Sequence, residues 1–230
     1  MNNKQSTDTL LYKITQYIYY FFMTNLYFLL SNILILGVLI LFPVSISNLL
    51  IYAAAMIPTG PSLTALFYSM GKLHREKSIN PTTDYWRAYK NNFKESTKYW
   101  AVLLIVLLIL SVDILFVLNN GWIILTVISV IAFLLVLLSG VYAFSILARF
   151  EVTVRNLIIF SIILLYQNKR NSLSIISILF AFSVILYGFF TYAVLMLFSI
   201  TVYYFMRGTH PILEKLKVQF ANTGRTDHET

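Results

Sequence analysis

Several uninterrupted apolar runs, each about as long as a membrane-spanning helix, constrain this chain more than any other feature of its sequence. A helix needs roughly 20 apolar residues to cross the ~30 Å hydrocarbon core of a bilayer, and such runs recur along the 230 residues. Charged residues make up only 11% of the chain, against about 25% in soluble domains. The sequence therefore predicts an all-α fold, a polytopic transmembrane helical bundle that forms a single integral membrane domain over residues 1–230.

Six spans account for the apolar runs. The first four are expected at residues 17–41, 48–70, 99–118 and 122–148. A tight hairpin near Tyr187-Gly188 then divides the long run 172–206 into spans five and six, while a single tilted helix over that run is the alternative. The apolar segment 156–166 is only about 17 Å long as a helix, which is too short to cross. We expect it to be interfacial or re-entrant.

The distribution of Lys and Arg predicts the orientation of the bundle. Six spans place three loops on one side, residues 43–47, 119–121 and 187–188, and none contains Lys or Arg. All 17 basic residues thus fall on the other side, which the positive-inside rule assigns to the cytoplasm. We expect both termini, the amphipathic loop 71–98 and the tail 207–230 to be cytoplasmic. The net charge of +8 then indicates topology and attraction to the anionic inner leaflet, not nucleic-acid binding.

A proline pair interrupts the second span. Pro58 and Pro61 remove two backbone donors, and Gly60 between them permits a close approach of another chain segment. The freed carbonyls need a neighbour, a water or a ligand. The break is either a structural kink or a site-lining break of the kind that transporters place at mid-membrane depth.

A few polar residues lie inside apolar runs and form a candidate intramembrane site. Asn25 and Asn32 are seven residues apart, so they share a helix face that should point into the bundle. Asp113 is the one acid well inside an apolar run. It either reaches outer-leaflet water or a neighbouring span, or it faces the broken span and pairs with Thr59, Ser62 or Thr64. The complete candidate set is Asn25, Asn32, Pro58, Gly60, Pro61, Ser62 and Asp113.

The polar loop contains an amphipathic helix, expected to start near Thr83 or Asp84 with a hydroxyl as N-cap. At about 100° per residue, an aromatic stripe continuing to Trp100 lies beside a basic stripe. Such a helix suits docking on anionic lipid or an acidic partner, and packing of the aromatic rings on the bundle is the alternative. The candidate docking residues are Trp86, Arg87, Tyr89, Lys90, Phe93, Lys94 and Lys98.

Catalytic chemistry is sparse in this sequence. The absence of cysteine excludes disulfides and thiolate chemistry, and the three histidines lack the spacing of a metal site. No phosphate-binding loop or nucleophile elbow is present. Arg149 and Glu151 form a candidate ion pair at the end of the fourth span, but most of the membrane thickness separates them from Asp113. We expect a protein that is not an enzyme and that needs no cofactor.

The order of the motifs resembles the YesL family of bacterial integral membrane proteins of unknown function, over about residues 10–210. The residues that carry the resemblance follow an asparagine-containing first span and are Gly60-Pro61-Ser62, Ala65-Leu66, Lys72, Asp84, Trp86, Asn91-Asn92-Phe93-Lys94, Asp113, Tyr142, Phe144 and Arg149-Phe150-Glu151. Lys169-Arg170-Asn171 departs from the pattern, since a proline-containing turn is expected there. The resemblance implies a bacterial cell membrane location and an association with oligosaccharide uptake, but no known catalytic residues.

These observations lead to a functional expectation. The chain should be a non-enzymatic accessory or regulatory membrane protein of carbohydrate uptake, with membrane lipids and subunits of a carbohydrate ABC importer as partners. The first alternative is a small transporter or lipid-handling protein with its site at the broken second helix. A purely structural assembly factor is a further alternative.

Overall fold

The computed structural model describes residues 10–43, 45–189 and 194–226. These residues form ten α-helices: α1 (Leu10–Ser31), α2 (Ile33–Leu41), α3 (Leu49–Ala55), α4 (Thr59–Glu76), α5 (Pro81–Asn91), α6 (Phe93–Asn119), α7 (Ile123–Leu147), α8 (Val154–Gln167), α9 (Lys169–Gly188) and α10 (Leu197–Thr226). A short 3-10 helix, Ile46–Asn48, precedes α3. The described residues contain no strand.

Four helical stretches are long and apolar enough to cross a membrane. They are Leu49–Glu76, Phe93–Asn119, Ile123–Leu147 and Lys169–Gly188. The pair α1 and α2, which bends by 62° around Asn32, makes a fifth if it counts as one span. The predicted class, an all-α membrane bundle, is confirmed. By length and composition the described residues supply four or five spans, where the sequence predicts six.

The chain after α8 differs in part from the prediction. α9 ends at Gly188 and the next described helix begins at Leu197, so the predicted division of the run near Gly188 is confirmed and the single tilted helix over 172–206 is wrong. Residues 190–193, where the sixth span was expected to begin, lie outside the described residues. α10 continues through Pro211 to Thr226, so the segment after Arg207 is helical where a polar tail was expected.

The break in the second span is confirmed, and its position follows from the two prolines. α3 ends at Ala55 and α4 begins at Thr59. Pro58 is the N-cap residue of α4 and Pro61 lies in its first turn, where backbone N–H groups have no acceptor within the helix. A proline therefore removes no intrahelical hydrogen bond at these positions. The larger bend, at Asn32, was not predicted because asparagine breaks a helix less strongly than proline does.

α4 is the central helix of the bundle. It packs against α1, α5, α6, α7 and α10. The stretch Leu49–Glu76, which comprises α3 and α4, is 39% buried over its most apolar part, against 11–17% for α6, α7 and α9, which expose apolar side chains as lipid-facing helices do. Small and polar side chains such as Ser62, Thr64 and Ser69 are completely buried on α4. Such residues allow close helix approach inside a membrane bundle and bond across it.

The helix predicted in the polar loop is in fact two helices, α5 and α6, separated by Asn92. The predicted hydroxyl cap near Thr83 is also wrong, because α5 begins at Pro81 with Asn80 as its N-cap. Asn80 Oδ1 accepts a hydrogen bond from the Thr83 N–H at 3.4 Å, and Asp84 Oδ2 accepts from the Asn80 N–H at 3.0 Å. Asparagine is a strong N-cap and proline is favoured at the next position, which fixes the start.

Candidate functional site

Side chains from neighbouring helices occupy the break in the second span. Trp100 Nε1 on α6 donates a hydrogen bond to the Met56 carbonyl at 2.7 Å. Thr59 Oγ1 donates to Asn32 Oδ1, also at 2.7 Å, and so ties the start of α4 to the bend between α1 and α2. The Met56 carbonyl also accepts a hydrogen bond from the Thr59 N–H at 3.0 Å. Both α6 and the bend between α1 and α2 are therefore bonded to residues at the break. This geometry fits a structural junction, and it leaves less reason to expect a ligand at the break itself.

Gly60 is the point of closest helix approach at this junction. A Cβ atom added to Gly60 would lie 2.4 Å from Trp100 Cβ and 2.9 Å from the Ser96 carbonyl oxygen. Beside it, Ser96 Oγ donates to Thr64 Oγ1 at 2.8 Å. Only glycine fits between α4 and α6 here, so the Gly60-Pro61-Ser62 motif has a packing explanation. We call Asn32, Pro58, Thr59, Gly60 and Trp100 the break junction.

The two predicted intramembrane asparagines face the bundle interior but bind different elements. Asn25 is completely buried and Asn32 is 4% exposed. Asn25 Nδ2 donates to the Val194 carbonyl at 2.7 Å, and its Oδ1 accepts from the Ser199 N–H at 3.2 Å. Asn25 therefore caps the start of α10 from across the bundle. Only Asn32 joins the break junction.

Asp113 does not lie at the break junction. Ser129 Oγ on α7 donates to Asp113 Oδ2 at 2.5 Å, which matches the alternative of a bond to a neighbouring span. Asp113 is thirteen residues after Trp100 on the same helix, and this separation corresponds to roughly 20 Å along the axis. The proposed pairing of Asp113 with Thr59, Ser62 or Thr64 is wrong. Sequence spacing could not reveal which helix would lie opposite the carboxylate.

The predicted docking helix packs most of its aromatic rings on the bundle and exposes its cations. The exception is Phe93, which is 44% exposed. Tyr85 is completely buried, its hydroxyl hydrogen-bonds Ser31 Oγ at 3.0 Å, and burial raises its pKa. Trp86 and Tyr89 are half-buried beside it and form an edge-to-face pair. The candidate cations Arg87, Lys90, Lys94 and Lys98 are exposed. We call these four cations the basic face.

A buried ion pair that sequence reasoning missed holds α5 in place. Lys72 Nζ on α4 donates to both carboxylate oxygens of Asp84, at 2.8 and 2.9 Å. Asp84 is 2% exposed. Periodicity could not predict this pair, because a lysine and an aspartate twelve positions apart have no fixed geometry across a loop. The only signal in the sequence was that Lys72 and Asp84 both belong to the motif order.

The predicted Arg149–Glu151 ion pair is replaced by a pair between Arg149 and Glu214. Arg149 Nη2 donates to Glu214 Oε1 at 2.5 Å, whereas Glu151 is exposed after the end of α7. Side chains two positions apart do not face each other on a helical turn, which explains the wrong assignment. The Arg149 side chain is only 11% exposed, and the guanidinium holds the pKa of Glu214 below its usual value.

Two histidines that are far apart in the sequence meet beside this ion pair. The rings of His74 on α4 and His210 on α10 are 5.1 Å apart between centroids, and His210 Nε2 lies 3.5 Å from Glu214 Oε1. Burial lowers the pKa of His210, and the nearby Arg149 adds to that effect. In the part of the chain that the structure describes, no group of three or more potential ligands could hold a metal ion.

Replacing Glu214 with glutamine should lower the apparent melting temperature of the detergent-solubilised protein, because Arg149 would keep its charge and lose its anionic partner. Since the pKa of Glu214 is depressed, its contribution is present above the ordinary glutamate pKa and is lost as pH falls through the folded value. The matched control is Glu151→Gln, which should have no measurable effect. Equal melting temperatures for the two variants at neutral pH would contradict the observed pairing.

A polar pocket of about 610 Å³ opens next to Arg149. Its wall combines Tyr68, Asn91, Glu95, Arg149 and Glu151, from α4, the α5–α6 junction and the segment after α7. Guanidinium, amide, carboxylate and phenol groups together offer both donors and acceptors. Such a wall can hydrogen-bond a small polyhydroxylated molecule or solvent.

The fold and these sites define a helical membrane-bundle protein. Its second span is broken and bonded to neighbouring helices at the break, and exposed cations lie on α5 and at the start of α6. Residues 21–114 match the model of a family described as "Protein of unknown function, DUF624". The matched range includes the break junction, the basic face and Asp113, and it ends before Arg149. No protein with a curated description and no solved structure is similar enough to match the chain.

Proposed function

We propose that this chain is a YesL-like, non-enzymatic accessory or regulatory membrane protein of bacterial carbohydrate uptake. The motif order described above supports the family assignment, and the match of residues 21–114 to DUF624 is compatible with it. The single observation that carries the accessory role is the basic face, four exposed cations on a helix pair that is fixed to the bundle. Its partner is an acidic surface of a carbohydrate ABC importer subunit, approached along the anionic inner leaflet.

The firm attachment of α5 to the bundle favours a docking role over that of a solvated loop. α5 is fixed by the Lys72–Asp84 ion pair, by the buried Tyr85 and by a 2.7 Å hydrogen bond between Tyr27 Oη and Thr82 Oγ1. Lys98, at the end of the basic face, is paired with Glu95 at 2.9 Å, so three of the four cations have no acid partner among the ion pairs of the described residues. A fixed row of cations can meet an acidic surface without first losing backbone freedom.

Replacing all four residues of the basic face with glutamine should weaken partner and anionic-lipid association. Each cation contributes about 1 kcal/mol near an anionic surface, so the largest expected loss is about a thousandfold in affinity. The readout is co-purification of importer subunits and anionic phospholipid from native membranes at low and high salt, together with uptake of a labelled oligosaccharide.

A matched control variant removes four other exposed cations on the side predicted to be cytoplasmic: Arg155, Lys169, Arg170 and Lys215. It changes the net charge equally and should retain binding and uptake. If both variants lose binding alike, the effect comes from net charge and not from the basic face. If neither variant changes binding or uptake, the proposed docking role is wrong.

The proposed orientation places both termini and the basic face on the cytoplasmic side of the bacterial cell membrane. The chain has no cysteine, so single cysteines can be introduced at Asn120 and Ser78, which are both exposed. An impermeant thiol reagent should label Asn120→Cys in intact cells and Ser78→Cys only after permeabilisation. The reverse pattern would mean that the basic face lies outside and cannot meet a cytoplasmic partner.

The second candidate function is lipid handling. One observation favours it: an apolar cavity borders Trp100, the residue that closes the break junction. Transport of a polar substrate through the break itself has less support, since Trp100 and Asn32 already bond to residues at the break.

A further inference from the structure

An apolar cavity of about 230 Å³ lies inside the bundle, between α4, α6, α7, α9 and α10. Leucine, valine and phenylalanine side chains, with Trp100 and Gly140, make up almost all of its wall. Thr201 supplies the one hydroxyl among the lining residues. The cavity is separate from the polar pocket next to Arg149, with which it shares no lining residue.

The chemistry of the wall selects an apolar occupant. A buried water needs two to four polar partners, and a single threonine cannot supply them. An apolar cavity of about 150 Å³ in another protein stays free of water and is large enough to bind benzene. The cavity described here is larger, and so it has room for a longer hydrocarbon group.

The surroundings identify the source of that hydrocarbon. Nine of the sixteen lining residues are buried and seven are half-buried, so the cavity reaches the outer surface of the bundle. The half-buried ones include Leu107 on α6, Leu137 on α7 and Phe182 on α9. These three helices are candidate membrane spans whose outer faces carry exposed apolar side chains, so the medium at the opening is lipid.

We propose that this cavity binds one acyl chain of a membrane phospholipid, inserted between the helices from the bilayer. The occupant contacts Trp100, whose indole N–H is bonded to the Met56 carbonyl, so the same side chain joins the lipid site to the break junction. Binding of an acyl chain here would support the second candidate function, lipid handling, and it does not depend on docking by the basic face.

Quenching of tryptophan fluorescence by a brominated acyl chain tests the site. The probe is the full-length protein in phosphatidylglycerol–phosphatidylcholine vesicles whose lipids carry mid-chain bromine atoms. The variant Trp86→Phe with Trp122→Phe leaves Trp100 as the one tryptophan, since the chain contains three. Trp100 is 8% exposed, so lipid outside the bundle makes little direct contact with its indole ring.

Two cavity-filling substitutions, Gly140→Leu and Leu179→Phe, provide the comparison. A Cβ atom on Gly140 meets only the flexible end of Leu103, at 3.2 Å, so the first variant should fold. If Gly140→Leu does not fold, Leu179→Phe still allows the filled and unfilled proteins to be compared. A control with Trp122 as the only tryptophan reports ordinary lipid contact, because Trp122 is 53% exposed at the α6–α7 turn.

The expected result is clear quenching of Trp100 that falls by half or more when either substitution fills the cavity. Quenching of Trp122 should stay the same in the filled and unfilled proteins. The proposal is overturned if Trp100 is not quenched in the unfilled protein, or if its quenching is unchanged in every filled variant that folds. In the latter case the bromine atoms reach Trp100 from outside the bundle.

Discussion

Replacing Gly60 with alanine is expected to destabilise the protein by about 3 kcal/mol, since inserting even one methyl group into a tightly packed interior forces its neighbours apart. The new Cβ would lie 2.4 Å from Trp100 Cβ and 2.9 Å from the Ser96 carbonyl oxygen. Both atoms belong to or directly adjoin the backbone of α6, so a change of rotamer cannot relieve the contact. For a chain of this size the apparent melting temperature in detergent should fall by roughly 6–12 °C.

Two other glycines provide matched controls for Gly60→Ala. Gly37 on α2 has nothing within 4 Å of an added Cβ, so Gly37→Ala should be neutral or stabilising by up to about 1 kcal/mol through helix propensity. Gly71→Ala should have an intermediate effect on stability, because its added Cβ would meet the flexible end of the Met206 side chain. If Gly60→Ala is no worse than Gly37→Ala, then α4 and α6 are not in the close contact described for the break junction.

Replacing Asp84 with asparagine should cost about 3 kcal/mol, the lower end of the range for breaking a buried ion pair. Asparagine keeps the shape of the side chain, but Lys72 Nζ loses both charged acceptors, at 2.8 and 2.9 Å. The Lys72 side chain is 22% exposed, so water compensates in part. The expected readout is a lower melting temperature in detergent and faster proteolysis of the loop at 77–80, because α5 is released from α4.

The double variant Lys72→Met with Asp84→Asn should be more stable than Asp84→Asn alone, because it leaves no buried charge without a partner. The Glu76 carboxylate, 3.8 Å from Lys72 Nζ, belongs to a side chain that is 55% exposed and stays solvated. The matched control is the exposed pair of Lys98 and Glu95, whose side chains are 53% and 38% exposed. Glu95→Gln should change stability by at most about 1 kcal/mol. Similar effects from Asp84→Asn and Glu95→Gln would show that the Lys72–Asp84 pair is solvated and does not anchor α5.

Properties that depend on local composition could be predicted from the sequence. Hydropathy and run length predicted a membrane bundle because backbone polar groups cannot remain unpaired in lipid, which leaves helices as the solution for apolar runs. Proline geometry predicted the break at Pro58. The length of the apolar run 172–206 predicted its division near Gly188, where α9 ends. The spacing of Asn25 and Asn32 predicted their common inward face, since residues seven apart on a helix always share one.

The partner of each polar side chain was decided only by the tertiary structure. Periodicity places a residue on a helix face, but it does not say which helix lies opposite or at what height. Asp113 therefore pairs with Ser129 and not with the broken span, and Arg149 pairs with a glutamate 65 positions later and not with its near neighbour Glu151. The 62° bend at Asn32 has the same origin, because the Asn32 amide is held by Thr59 on α4, a residue 27 positions away.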